Sequence, residues 1–344
     1  MSKKVLVGMS GGIDSSLSAY FLQQQGYEVQ GVYMKLHNLR AGYHEKNLET
    51  IKEVAEFLKI KYHVLDLSEE FKTQVYDYFV NSYIEGITPN PCVRCNRLIK
   101  FGAMLDFAKS LGIDFLATGH YVKTDGEFLY VANDLTKDQS YFLAQLKKEA
   151  LKYLIFPMEE YKKVDMIKLG EKLSPIYKKI TLKKESQEIC FVDTIYTDII
   201  KKHAKIDMPG NVLSPQGQVI GKHKGYMHYT IGKRRGFSVD GAHEAHFVKE
   251  INPKTNELIV SKKEELAVKQ IIASGLNMFI DDKNIKCEVK LRYRSTASAC
   301  EVKLEGDTAI IELEEPVFGV AAGQLAVFYD KDKVLGSAWI KESK

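Results

Sequence analysis

Residues 4–26 constrain this chain more than any other stretch, because they read as strand, glycine-rich turn and helix in direct succession. Lys4-Val5-Leu6-Val7 is a short β-branched run of the kind buried in parallel sheets. Leu17 to Gln25 is a helix-forming run closed by Gly26 as its C-cap. Between them lies Gly8-Met9-Ser10-Gly11-Gly12-Ile13-Asp14-Ser15-Ser16. Gly11 and Gly12 let the backbone come close to an anion, and the N–H groups that open a helix point at phosphate oxygens. Ser10, Ser15 and Ser16 add hydroxyl donors. A Walker loop needs a Lys before its Ser/Thr, and none stands here; the Rossmann glycine spacing is missing too.

The pattern then repeats. Glu28 to Met34 and Tyr62 to Leu67 read as strands, with Leu48, Ile51, Ala55 and Leu58 on one helical face between them. Ser68 is placed to cap a helix through Phe71, Val75, Tyr78 and Phe79, and Phe115 to Tyr121 reads as a fourth strand running into Gly119. Strands alternating with helices predict a doubly wound parallel sheet, whose right-handed crossovers bring the loops at the strand ends to one edge. His120 falls on that edge. Asp125-Gly126 predicts a hairpin before Phe128 to Val131.

At 344 residues the chain has room for two or three domains, and 45% hydrophobic with 27% charged residues is the balance of a water-soluble globular protein. No apolar run is long enough for a bilayer span or a cleavable leader, so a cytosolic location without membrane contact is expected. Net charge is only +4, so any nucleic-acid footprint must be local. Met208 to Phe237 supplies one: five Lys/Arg, no Asp/Glu, and aromatic residues interleaved through Lys222-His223-Lys224-Gly225-Tyr226 and Tyr229 to Phe237. Lys233, Arg234 and Arg235 are the expected phosphate contacts on RNA. From about Ile271 onward short alternating strands predict a small antiparallel barrel. The expected domains are 1–206, 207–270 and 271–344.

Five cysteines, two of them in Cys92-Val93-Arg94-Cys95, fit reactive thiols better than a secreted disulfide framework. Pro89 and Pro91 keep the preceding backbone extended, and Asn96 is placed to cap a helix through Leu98, Phe101, Leu105 and Ala108. Cys95 would then sit at a helix start, where the dipole favours a thiolate; an inert buried thiol is the alternative. Cys190 taken alone reads as a core residue, and Cys287 and Cys300 as packing inside strands.

Ser10-Gly11-Gly12-Ile13-Asp14-Ser15-Ser16 resembles the pyrophosphate loop of the N-type ATP pyrophosphatases, which split ATP between the α- and β-phosphates. Over nearly its whole length the chain resembles tRNA-specific 2-thiouridylases of the bacterial MnmA type. The resemblance rests on that loop, Tyr33-Met34-Lys35, Thr88-Pro89-Asn90-Pro91 with Cys95-Asn96, Ala117-Thr118-Gly119-His120-Tyr121 and Lys137 to Leu143. Ile189-Cys190-Phe191, Gly221-Lys222-His223, Tyr229-Thr230-Ile231-Gly232, Arg292-Tyr293-Arg294 and Ala322-Gly323-Gln324 follow in the family order.

What the resemblance implies is specific. Gly8, Met9, Ser10, Gly11, Gly12, Ile13, Asp14, Ser15, Met34 and Gly119 would contact ATP, and Asn90, Pro91 and Cys92 the target base. His120, Lys137, Asp138, Gln139, Arg292, Tyr293 and Gln324 would contact tRNA. Cys190 would carry sulfur as a persulfide received from a cysteine desulfurase or relay protein, and Cys95 would attack it. Mg²⁺ would accompany ATP, with Asp14 helping to organise it. Two departures stand out: Cys92 replaces an Asp common in the family, and residues 37–47 lack the family's acidic run. Cys92, Cys95 and Cys190 could instead ligate an iron–sulfur cluster. A different adenylating synthetase, or a tRNA-binding protein with a dead nucleotide fold, are the competing readings.

Overall fold

A computed structural model describes residues 2–39, 42–182, 189–192, 194–241 and 243–344. The run Lys183 to Glu188, part of the stretch leading to Cys190, lies outside the described residues. Two compact units emerge: residues 1–75, 92–191 and 332–334 form one, and residues 76–91, 192–331 and 335–344 the other.

The first unit is built on a five-stranded parallel sheet. Its opening elements are β1 (Lys4–Gly8), α1 (Ile13–Gln24), β2 (Glu28–Lys35), α2 (Tyr43–Leu58) and β3 (Lys61–Asp66). β4 (Phe115–Thr118) lies on the other side of β1, and the short strand Leu154–Ile155 completes the order beyond it. β1 pairs with both β2 and β4 in parallel register, Val5 opposite Val29 and Phe115. That central position explains the uninterrupted Val5-Leu6-Val7 run: all three side chains are fully buried, covered on both faces. Ile13, Leu17 and Leu22 of α1 pack with Val5, Val7, Ile51 and Val54 in one apolar core. The reversal of strand order on either side of β1 puts the loops after β1 and β4 next to each other, the location where open α/β sheets collect ligands. The hairpin predicted at Asp125-Gly126 forms between Lys123–Thr124 and Leu129–Tyr130.

Two helices depart from expectation. Ser68 is not a cap: the helix Ser68–Phe71 is preceded by Leu67, while Asp66 Oδ1 accepts from the Ser68 N–H at 3.1 Å. Asn96 is not a cap either, because the helix begins at Pro91, where a missing N–H costs nothing. It runs Pro91–Cys95, widens to a π-helix over Asn96–Ala103 and continues as Met104–Ser110. Tyr196–Ile200 is a further short helix.

In the second unit, Gly210–Leu213, Val219–His223, Phe247–Asn252 and Glu257–Ser261 make a four-stranded sheet. The barrel that follows consists of Ala267–Met278, Asn284–Lys290, Ser298–Glu305, Thr308–Phe318, Leu325–Asp330 and Lys333–Ser343. It closes where Ala267–Met278 pairs with the last strand, Ala273 opposite Ile340. Val289, Ala309, Ile311, Ala326 and Phe328 fill its core. Among the described residues no helix is long and apolar enough to cross a membrane.

Candidate active site

The turn after β1 is folded by its own hydroxyls. Gly11 takes φ +77°, the left-handed region that favours glycine, and Gly12 precedes α1 with extended backbone and no side-chain cap. Ser15 and Ser16 both donate to the Gly12 carbonyl, at 3.1 and 2.9 Å, and the Ser10 N–H donates to Ser15 Oγ at 3.2 Å. Ser16 is completely buried, so its hydroxyl shapes the turn instead of facing a ligand. Ile13 enters the apolar core. Gly8, Met9, Ser10, Asp14 and Ser15 are the loop residues that line a cavity of 310 Å³.

Met34 of β2 and Gly119 and His120 after β4 line the same cavity, together with Lys100, Gln139 and Cys190. Gly119 is there because nothing larger fits: a Cβ would stand 2.8 Å from Asp14 C and Ser15 N. His120 is neutral at neutral pH, since burial pushes its imidazole well below the usual range and Lys100 pushes the same way. Its Nδ1 lies 2.8 Å from Thr118 Oγ1.

Asp14 is held from two sides. Tyr121 donates its hydroxyl to Oδ1 at 2.9 Å, and Lys163 places Nζ 2.6 Å from Oδ2. Both oxygens of the acid expected to organise Mg²⁺ thus have protein partners. No group of three His, Cys, Asp or Glu side chains gathers to hold a metal ion among the described residues. The donor set on Asp14 does not fit a Mg²⁺ cradle.

The cysteines differ sharply in surroundings. Cys190 is exposed and lines the cavity. Burial pushes the Cys92 thiol up to about 11 and the Cys95 thiol up to about 12. A negative charge on Cys190 raises both further, while Lys100 acts in the opposite direction. The expected thiolate-favouring helix start is therefore overridden at Cys95, which lies one turn inside the helix with only 6% of its surface exposed. Lys100 escaped the sequence reading because an α-helix would turn position i+5 away from Cys95. The wider π turn brings it back toward that face.

The segment before the helix is clamped. Thr88 N–H donates to the Ala322 carbonyl at 3.1 Å, and Gln324 Nε2 donates to the Thr88 and Pro89 carbonyls at 3.0 and 3.2 Å. Gly323, at φ +86°, leaves room for this: its Cβ would lie 2.8 Å from the Thr88 carbonyl oxygen. Gln324 is thus engaged with the loop that carries the buried Asn90 and Pro91.

Other expected RNA contacts divide similarly. Asp138 is buried and accepts from the Ala132 and Ser140 N–H groups, so its carboxylate is committed to the turn that carries Lys137 and Gln139. Gln139 Oε1 accepts from the Tyr121 N–H at 3.0 Å. Lys233 turns inward: Nζ donates to the His228 carbonyl at 2.7 Å and lies over the Tyr229 ring. Arg234 and Arg235 are exposed. The Arg292 guanidinium donates to the Ile231 carbonyl at 2.9 Å, and Tyr293 beside it is half-buried.

These surroundings fix an order of thiol reactivity. Iodoacetamide at pH 7.5, followed by peptide mass mapping, is expected to label Cys190 well before Cys92 or Cys95. Equal or faster labelling of Cys95 would contradict the burial described here.

Comparison with known proteins covers the whole chain. A family model described as the tRNA methyl transferase HUP domain matches residues 3–194. Models described as the tRNA methyl transferase PRC-barrel domain and the aminomethyltransferase beta-barrel domain match 197–262 and 265–340. A tRNA-specific 2-thiouridylase MnmA 1 from Aliarcobacter butzleri is 64% identical over 342 residues, covering 99% of each chain. The MnmA protein of Nitratiruptor sp. is 53% identical over 340 residues, covering 99% of this chain and 100% of its own. That of Campylobacter jejuni strain RM1221 is 53% identical over 339 residues, covering 98% of this chain and 100% of its own. Identity at this level from end to end means that the chain belongs to the tRNA-specific 2-thiouridylase (MnmA) family.

Proposed function

We propose that this protein is a cytoplasmic tRNA-uridine 2-sulfurtransferase that consumes ATP and replaces O2 of the wobble uridine with sulfur. One observation carries the chemistry: the pyrophosphate-type loop, His120 and the exposed thiol of Cys190 line one cavity. An adenylating enzyme of another kind has no use for a thiol there.

A uridine carbonyl oxygen leaves poorly, so the first step is attack of O2 on the α-phosphorus of ATP. Pyrophosphate departs, and the N–H groups of Gly12 to Ser15 at the uncapped start of α1 suit its negative charge. Gly8, Met9, Ser10, Met34 and Gly119 shape the nucleotide site. Asn90, Pro91 and Cys92 receive the base, which must be unstacked to reach it. Cys190 bears the incoming sulfur as a persulfide, and its exposure suits delivery by a desulfurase or relay protein. The persulfide sulfur displaces AMP from C2. Cys95 then attacks Cys190 Sγ, freeing 2-thiouridine and leaving a Cys95–Cys190 disulfide that an external dithiol must reduce. Lys100 is the cation that favours the Cys95 thiolate.

The expected products are AMP and pyrophosphate, formed only when tRNA is present. Release of ADP and phosphate from radiolabelled ATP would refute adenylation. For the RNA face, neutralising Arg234 or Arg235 should lower the slope of log affinity against log salt by about one charge's worth. Lys233→Met should leave that slope nearly unchanged, because its ammonium is held by His228. An equal drop for all three would show that Lys233 swings out to meet the RNA.

A further inference from the structure

We propose that Lys163 is a positioning residue of the ATP-cleaving site, one that neutralises and aims the Asp14 carboxylate; this rests on the reading of the loop as a nucleotide site. The two residues are 149 positions apart, yet Nζ and Oδ2 stand 2.6 Å from each other. The Lys163 side chain is only 8% exposed, against 28% for Asp14. A lysine is seldom so buried without a fixed counter-charge, because losing its hydration must be offset by the pairing.

The surroundings hold the lysine in place from behind. Its N–H donates to Asp134 Oδ2 at 2.9 Å, which anchors the first turn of the helix Lys163–Leu173. Further along that helix, a Cβ on Gly170 would come within 2.8 Å of Ile13 Cδ1, so the helix lies tight against the start of α1. Tyr121 occupies the other Asp14 oxygen at 2.9 Å. The carboxylate is therefore fixed in direction by two donors and cancelled in charge by one.

That cancellation matters because Asp14 lines the cavity where a polyphosphate would sit. An unpaired carboxylate there would repel every phosphate oxygen at close range. With Lys163 in place the loop offers N–H groups, hydroxyls and a neutral pair. Asp14 then serves to orient the loop and Tyr121 without opposing the substrate.

Four variants of the full chain test this: Lys163→Met, Lys163→Arg, Asp14→Asn and the double Asp14→Asn/Lys163→Met. ATP affinity is measured by calorimetric titration and thermal unfolding in parallel. Lys163→Met should weaken ATP binding about tenfold or more, Lys163→Arg much less, and the uncharged double variant should return to within about threefold of wild type. Wild-type affinity in Lys163→Met overturns the proposal. So does a double variant that unfolds like wild type yet binds no better than Lys163→Met. Should Lys163→Met fail to fold, Asp14→Asn against the double variant decides: the unopposed lysine must make Asp14→Asn the tighter binder, and equal affinities overturn the proposal. A wild-type protein that binds no ATP would instead defeat the nucleotide-site reading itself, and this inference with it.

Discussion

Between the end of β4 and the first turn of α1 there is space for a backbone and no side chain. A Cβ on residue 119 would sit 2.8 Å from Asp14 C and Ser15 N, so glycine alone lets the two loops meet. Much else follows from that approach. It brings His120 to the wall of the loop's cavity, and two residues on, Tyr121 reaches Asp14. The parallel sheet supplies the precondition, since only a strand order that reverses at β1 puts the ends of β1 and β4 side by side.

Burial and charge then divide the labour among the thiols. Cys95 and Cys92 are held protonated by desolvation, with Lys100 opposing it, whereas Cys190 stands in the open cavity. This arrangement suits a sequence in which the exposed thiol is loaded from outside and the buried one acts last.

The strand–turn–helix opening, the alternating α/β elements and the closing barrel were all legible, because each rests on local periodicity or on glycine. Val5-Leu6-Val7 needed no partner to reveal itself as a buried strand. What escaped depends on distance or on a change of helical pitch. Lys163 looks like a solvated lysine beside Lys162, and nothing nearby signals that Asp14 lies opposite it. Lys100 is hidden by assuming 3.6 residues per turn where the helix is a π-helix. Asp138 and Gln324 were legible as polar residues in family motifs and Lys233 as part of a basic run, but neither signal distinguishes a side chain engaged with the backbone from one that is not. Their hydrogen bonds to Ala132 and Ser140, His228, and Thr88 and Pro89 make the difference visible.

Sulfur transfer within one turnover is the most direct measurement. The protein is loaded with isotopically labelled persulfide, freed of other sulfur sources, and mixed with ATP and substrate tRNA; nucleosides and cysteine-linked peptides are then read by mass spectrometry. The predicted result is label in 2-thiouridine and one Cys95–Cys190 disulfide per base modified, with substantial transfer and the same disulfide retained in a Cys92→Ala variant. Label that reaches uridine without that disulfide, or a Cys92→Ala protein that loses both iron and activity, would contradict it.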